Sequence, residues 1–194
     1  MEYVDRAVMD KLTGGGNHQG VAARVTDFSY CSTEDIVARA KERGESLLVV
    51  LLDGITDPHN FGAIVRSAEC FGAHGIVIPA RRSVGVTDTV VKVASGATEH
   101  MLIAKVTNLN DVIREFKQRN IWVYACDFGG QPPCSTDLTG DVALIVGSEG
   151  TGVHRLTREL ADGVITIPEY GKINSLNASV AAGVVLYEAA RQRS

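Results

Sequence analysis

Two stretches, SLLVVLLD (46–53) and DVALIVGS (141–148), are apolar at nearly every position and turn polar at their last residues. A strand that is wet on one face alternates apolar and polar residues. A continuous apolar run is the mark of a strand covered on both faces, as in a parallel sheet between two layers of helices. Parallel neighbours need long crossovers, usually helical, so the rest of the chain must supply helices between strands.

It does. GIVIPA (75–80), EHMLIAKV (99–106), IWVYACD (121–127) and GVITIP (163–168) read as further strands. Helices are predicted over 60–72, with Asn60 as cap and Gly72 as stop, and over 88–98, 109–120, 152–162 and 174–191. In LNDVIREFKQRN (109–120), Val112, Ile113 and Phe116 share one face and the charges take the other. The expected fold class is therefore α/β: a mostly parallel sheet with helices on both faces.

Residues 1–45 have a different character. TGGGNHQG (13–20) is a flexible or tightly turned segment, and VAARVTDFSY (21–30) reads as a short strand. STEDIVARAKERG (32–44) has helix signals at both ends: Ser32 or Thr33 as N-cap, acids in the first turn, bases in the last, then Gly44. Residues 1–30 are too few to bury a core of their own. They read as the tail of another module, with 46–194 as the main domain.

Open α/β sheets bind ligands outside the carboxyl ends of their strands, and four segments with polar or Gly-rich sequence fall there. In DGITDPHNFGAIVRSAECFG (53–72), Pro58 fixes a turn and Arg66 projects from the helix that follows. By pattern alone, a mid-helix arginine beside Val65 and Ala68 has an ordinary surface or ion-paired role. GSEGTG (147–152) resembles a phosphate loop but lacks the Lys-Ser/Thr of a P-loop and the spacing of a dinucleotide fingerprint. Glu149 at its centre would repel phosphate. The loop suits a ligand bearing hydroxyls or positive charge, or is a plain strand-to-helix turn.

In IPEYGKINSLNASVAAGVVLYEA (167–189), Ser175 or Asn174 suffices to cap the helix. Asn177 and Ser179 then exceed what capping needs, and the surplus points to a ligand against this turn. Ala178, Ala181, Ala182 and Gly183 permit close packing on a neighbouring helix or subunit. The fourth segment, YACDFGG (124–130), is a weaker loop signal.

Composition excludes several classes. No run approaches the roughly 18 apolar residues of a membrane span. The acidic start MEYVDRAVMDKL lacks the apolar core of a signal peptide. The four cysteines, Cys31, Cys70, Cys126 and Cys134, show no CxxC pair, and the five histidines show no metal-ligand spacing. Reduced thiols in a cytoplasmic protein, with no metal and no membrane, are the expectation. A net charge of −4 argues against an all-over grip on nucleic acid but leaves room for a local basic patch. Arg81-Arg82 with Lys92, and Arg155 with Arg158, are modest clusters of the kind that usually form a solvated face.

Taken in order, NFGAIVRSAECFG, LIVGSEGTG and IPEYGKINSLNASVAAGVVLYEA closely resemble the three signature motifs of the SpoU (TrmH-type) branch of the SPOUT RNA methyltransferases. The resemblance covers residues 46–191. NHQGVAARV and SGATEH look most like the bacterial 23S rRNA guanosine 2′-O-ribose methyltransferases. The resemblance implies a C-terminal trefoil knot, a homodimer, RNA (rRNA) as substrate and S-adenosylmethionine (AdoMet) as cofactor. It also implies that residues 1–45 are the remnant of an L30e-like RNA-binding domain plus linker, ahead of a catalytic domain at 46–194. By position in the motifs, Arg66 is the central catalytic residue, with Asn60, Glu149 and Asn177 shaping the reacting site. Gly147, Ile167 and Leu176 match positions that cradle the cofactor through backbone groups, with Ser175 and Gly150 beside them. A tRNA 2′-O-ribose methyltransferase of the same branch and a non-catalytic RNA-binding or ribosome-assembly protein are the rival readings. A nicotinamide-dependent dehydrogenase is disfavoured, because DGITDPHNFG contains no G-x-G-x-x-G.

Overall fold

The computed structural model describes residues 3–16, 18–22, 28–173 and 175–194. Six strands form one sheet: β1 (Leu48–Asp53), β2 (Gly75–Pro79), β3 (Leu102–Val106), β4 (Trp122–Gln131), β5 (Val142–Gly147) and β6 (Gly163–Ile165). Their order is β3-β2-β1-β5-β4-β6, and every pairing is parallel. The helices are α1 (Arg6–Leu12), α2 (Thr33–Arg43), α3 (Pro58–Cys70), α4 (Asp88–Ala94), α5 (Leu109–Gln118), α6 (Arg155–Leu160) and α7 (Ala178–Arg193).

The two apolar runs are β1 and β5, paired with each other in the middle of the sheet and buried at all positions. Period-two alternation divides their side chains between two cores. Leu48, Val50, Leu52, Val142, Leu144 and Val146 meet Phe61, Ile64 and Val65 of α3 and Val185 and Leu186 of α7. Val49, Leu51, Ala143 and Ile145 meet Ile36 of α2 and Ile113 and Phe116 of α5 on the other face. The helices thus cover both faces, as the sequence predicts.

Element boundaries move for identifiable reasons. α3 begins at Pro58, not Asn60, because Asp57 is its cap, accepting from the His59 and Asn60 N–H groups at 3.1 and 3.2 Å. α7 begins at Ala178 with Asn177 as cap, so the expected start at 174 and a Ser175 cap do not hold; Asn174 lies outside the described residues. α6 is shorter than 152–162, since Gly152 adopts φ +65° and Ala161 is extended. The helix expected over 88–98 stops at Ala94, where Ser95 turns left-handed. β4 runs on to Gln131, past its predicted end, through a bulge against β6. The strand expected over 21–30 falls largely on residues 23–27, outside the described residues. Ser32 caps α2 in a reciprocal capping box with Asp35, and Gly44 closes it.

Two further attachments tie peripheral segments to the sheet. Cys31 bridges Ala104 of β3, and the Tyr30 hydroxyl accepts from the Val86 N–H at 2.9 Å. At the far end of the chain, the Arg193 guanidinium donates to the carbonyls of Leu138, Ser46, Leu47 and Gly140 at 2.6–3.1 Å.

Candidate active site

A cavity of about 430 Å³ opens at the carboxyl ends of β4, β5 and β6. Its floor is apolar, with Val146, Ile165, Ile167, Ala178 and Ala181; Asp127, Glu149 and Glu169 stand on its walls. This is the strand-end location the sheet topology favours.

The GSEGTG segment folds back on itself as a tight turn. The Ser148 N–H donates to the Gly152 carbonyl at 3.1 Å and the Gly152 N–H to the Ser148 carbonyl at 2.9 Å. Gly150 and Gly152, at φ +85° and +65°, supply backbone angles that side chains resist. Gly147 is needed for a different reason: a Cβ there would lie 2.1 Å from the Gly152 backbone. Glu149 therefore rides on a narrow, rigid turn.

Three elements meet at that carboxylate. Glu149 Oε1 accepts from Asn60 Nδ2 at 3.0 Å and from Asn177 Nδ2, and Asn177 Nδ2 also donates to Asn60 Oδ1 at 2.8 Å. The other end of the Asn177 amide caps α7, its Oδ1 accepting from the Ser179 and Val180 N–H groups at 3.0 and 3.3 Å. One asparagine thus caps a helix and ties it to two other elements. Ser179 spends its hydroxyl on the same Oδ1 at 2.6 Å, which accounts for part of the polar surplus. Ser175 accounts for more of it by lining the cavity.

Of the predicted residues, Gly147, Glu149, Gly150, Ile167, Ser175 and Leu176 line the cavity. The Leu176 N–H is engaged by Glu169 Oε1 at 3.2 Å. Asn60 and Asn177 join at the Glu149 rim. Arg66 stands apart: it is exposed, does not line the cavity, and its Nη1 reaches Ser95 Oγ at a long 3.5 Å. Of the small residues of α7, Gly183 faces Ser67 of α3 and Ala182 is buried in the core as expected, whereas Ala178 and Ala181 line the cavity.

Sequence reasoning missed Asp127, Phe128, Thr166 and Glu169 on the cavity wall. The weak signal in YACDFGG was the pointer to the first two. Asp127 is held by the Phe128 N–H at 2.8 Å and lies 3.7 Å from Arg158. Beside it, burial and then the Asp127 charge push the Cys126 thiol up to about 12. It also missed the pair of Asp53, the polar end of β1, with His154.

A parallel sheet with a strand-end cavity closed by a Gly-rich turn and a capped helix defines a ligand-binding α/β domain. The profile of the SpoU rRNA Methylase family matches residues 47–187, and that for RNA 2′-O ribose methyltransferase substrate binding matches residues 1–31. The chain belongs to the SpoU rRNA Methylase family. YacO of Bacillus subtilis (strain 168), named for the TrmH family of tRNA/rRNA methyltransferases, is 45% identical over 195 residues, 100% of this chain and 78% of that protein. An uncharacterized tRNA/rRNA methyltransferase of Synechocystis is 44% identical over 194 residues, and this chain spans 50% of its length. Among solved structures, the SpoU methyltransferase AviRb from Streptomyces viridochromogenes in complex with AdoMet has a TM-score of 0.72 at 33% identity, covering 77% of this chain and 61% of that one. The AdoMet-bound rRNA methyltransferase from Sinorhizobium meliloti has a TM-score of 0.79 at 28% identity, covering 96% and 70%.

Proposed function

We propose that this protein transfers a methyl group from AdoMet to a ribose 2′-hydroxyl of RNA, a guanosine of 23S rRNA. The observation that carries the reading is the junction of Asn60, Glu149 and Asn177 at the rim of the cavity, three motif residues from three separate elements.

The cavity suits the cofactor. Its volume is within the ~300–1,000 Å³ range of small-molecule sites. The apolar floor fits an adenine ring, and the carboxylates on the walls fit a cationic ligand. Gly147, Ile167, Leu176, Ser175 and Gly150 would hold it. When bound, AdoMet supplies a methyl already activated by its sulfonium, so the proposed reaction calls for no metal.

The protein must then align a ribose hydroxyl with that methyl, and alignment alone supplies much of the rate. Asn60 and Asn177 fix Glu149 Oε1 and so set the rim against which the ribose docks. Arg66 is a permanent cation. Its proposed part is to anchor a neighbouring RNA phosphate and stabilise charge developing on the 2′-oxygen, rather than to take the proton.

The proposal extends to assembly. Val180, Val184 and Tyr187 form an exposed apolar ridge on α7, which supports a homodimer of two such chains; an enzyme that modifies RNA would work in the cytoplasm. The strand-end loops between 147 and 177 would close as a trefoil knot. Residues 1–45 would be the end of an L30e-like RNA-binding domain and its linker, a reading supported by the match over residues 1–31.

Titration calorimetry with AdoMet, followed by methyl transfer to unmodified rRNA and tRNA, tests this. One AdoMet per chain and a 2′-O-methyl guanosine in rRNA are expected. Transfer to tRNA alone would move the substrate, and a folded chain that binds no AdoMet would overturn the reading in favour of a non-catalytic RNA-binding protein.

A further inference from the structure

Between Pro79 and Ser95 the chain carries Arg81, Arg82 and Lys92 against a single acid, Asp88. In a protein of net charge −4 this is a local reversal of sign. Arg81 and Arg82 are exposed, and neither forms an ion pair among the described residues.

Free arginines on a surface loop are ordinary, but this loop is pinned along its length. The Ala80 N–H donates to the Val106 carbonyl at 2.7 Å, and the Ser83 hydroxyl donates to the Pro79 carbonyl. The Val84 N–H donates to the Ile55 carbonyl at 2.9 Å, and the Val86 N–H to the Tyr30 hydroxyl at 2.9 Å. Arg82 itself is held at φ +59°, a left-handed conformation that an arginine does not adopt without support. Such an outlier, kept in place by surrounding bonds, is a reason to look for function.

Location adds to this. The loop follows β2, so it lies at the carboxyl end of the parallel sheet, as the cavity does, with β1 between β2 and the cavity strand β5. Ile55, its anchor, is two residues before Asp57, the cap of the helix that carries Asn60. Tyr30, its other anchor, lies within the segment matched by the substrate-binding profile, and Lys105 adds a further cation 5.0 Å above the Tyr30 ring.

We propose that Arg81 and Arg82 form a phosphate-gripping arm for the RNA backbone, and that Tyr30 sets its position from the substrate-binding side of the chain. The proposal rests on the reading of RNA as substrate. Guanidinium groups pair with phosphate oxygens in a planar fork, and a fixed loop gives up little freedom when it binds.

The test is salt-dependent binding of the full chain to an unmodified 23S rRNA transcript, with AdoMet affinity measured in parallel. In the double variant Arg81→Ala/Arg82→Ala, RNA affinity at low salt should fall at least about tenfold. The slope of log K against log[salt] should become shallower by about 1.4–1.8, the loss of two phosphate contacts. AdoMet affinity should be unchanged. Tyr30→Phe keeps the ring and removes the acceptor for Val86; it should weaken RNA binding several-fold with both arginines present. Parent-like affinity and slope in the double variant would overturn the proposal. So would a parent chain that binds AdoMet and no RNA, an outcome that leaves the cofactor reading intact. A parent that binds neither overturns both.

Discussion

The Asp53 carboxylate accepts two hydrogen bonds from His154, 101 residues later in the chain: one from the backbone N–H and one from ring Nδ1, each 2.9 Å long. Asp53 is buried at the end of β1, and its partner follows the turn that carries Glu149. One side chain therefore fastens the β5 loop to the neighbouring strand. Asp53→Ala should cost about 2 kcal/mol, the scale for stranding donors that had a charged acceptor. For a chain of this length that is roughly 4–8 °C in Tm. Thermal melts check the stability; calorimetry should show weaker AdoMet binding, since the turn at the cavity wall loses its tether. Asp53→Asn, which keeps one acceptor, should fall between.

The cap and the tether of Asn177 can be separated. Asn177→Ser retains a good N-cap oxygen but loses the amide that reaches Asn60 and Glu149. It should melt close to the parent and lose most methyl transfer. Asn177→Ala should lose activity and about 1 kcal/mol of stability as well. Equal Tm values for the two variants would show that the cap contributes nothing here.

Gly147→Ala adds one methyl where no space exists, with the Gly152 carbonyl carbon and Val153 nitrogen at 2.1 and 2.3 Å from the new atom. The turn must move. A loss of about 1–3 kcal/mol is the usual cost of overpacking, and cofactor binding should be abolished. A parent-like titration in this variant would show that the turn does not shape the cofactor site.

Acid should destabilise the fold through His74. Its Nδ1 accepts from the Leu48 N–H at 3.0 Å, so the ring proton sits on Nε2, 3.0 Å from Glu45. Burial lowers its pKa, against the opposing pull of Glu45. The folded state thus resists a proton that the unfolded chain accepts near pH ~6.5. This contribution is whole above that pH and is lost as pH falls below it, by up to about 1.4 kcal/mol per unit. Denaturant titrations from pH 8 to 5 should show the decline, and His74→Phe should flatten it.

Three of the four thiols should divide into two classes. Cys70 and Cys134 are exposed and should react with a thiol reagent in the native protein. Cys126 is half-buried on the cavity lining and, pushed up to about 12, should react far more slowly. Labelling of Cys126 as fast as that of Cys70 would show that its raised thiol pKa does not protect it.

The sheet was legible because the signal for a doubly buried strand is carried by composition over a short window. LLVVLL and VALIV need no partner to be read. Helix starts were less legible. Asp57 and Asn177 cap where Asn60 and Ser175 were expected, because several polar residues crowd each start and tertiary bonds decide among them. The motif residues gave the rim and the cavity wall. Asp127 was pointed to only by the weak signal in YACDFGG and Glu169 not at all, since each is a lone acid in sequence until the bulge in β4 and the chain after β6 bring them to the same cavity.

α7 is pinned at both ends. Asn177 fastens its first turn at the cavity rim, and Arg193 fastens its last turn to carbonyls before the amino ends of the two central strands. A rod anchored this way behaves as a strut. The two anchors stand about sixteen residues apart, a rigid span of ~24 Å at 1.5 Å per residue. Load applied beyond Arg193 is therefore shed into the sheet through four hydrogen bonds before it can reach the cavity rim, and the reacting end of the rod is mechanically insulated from the other.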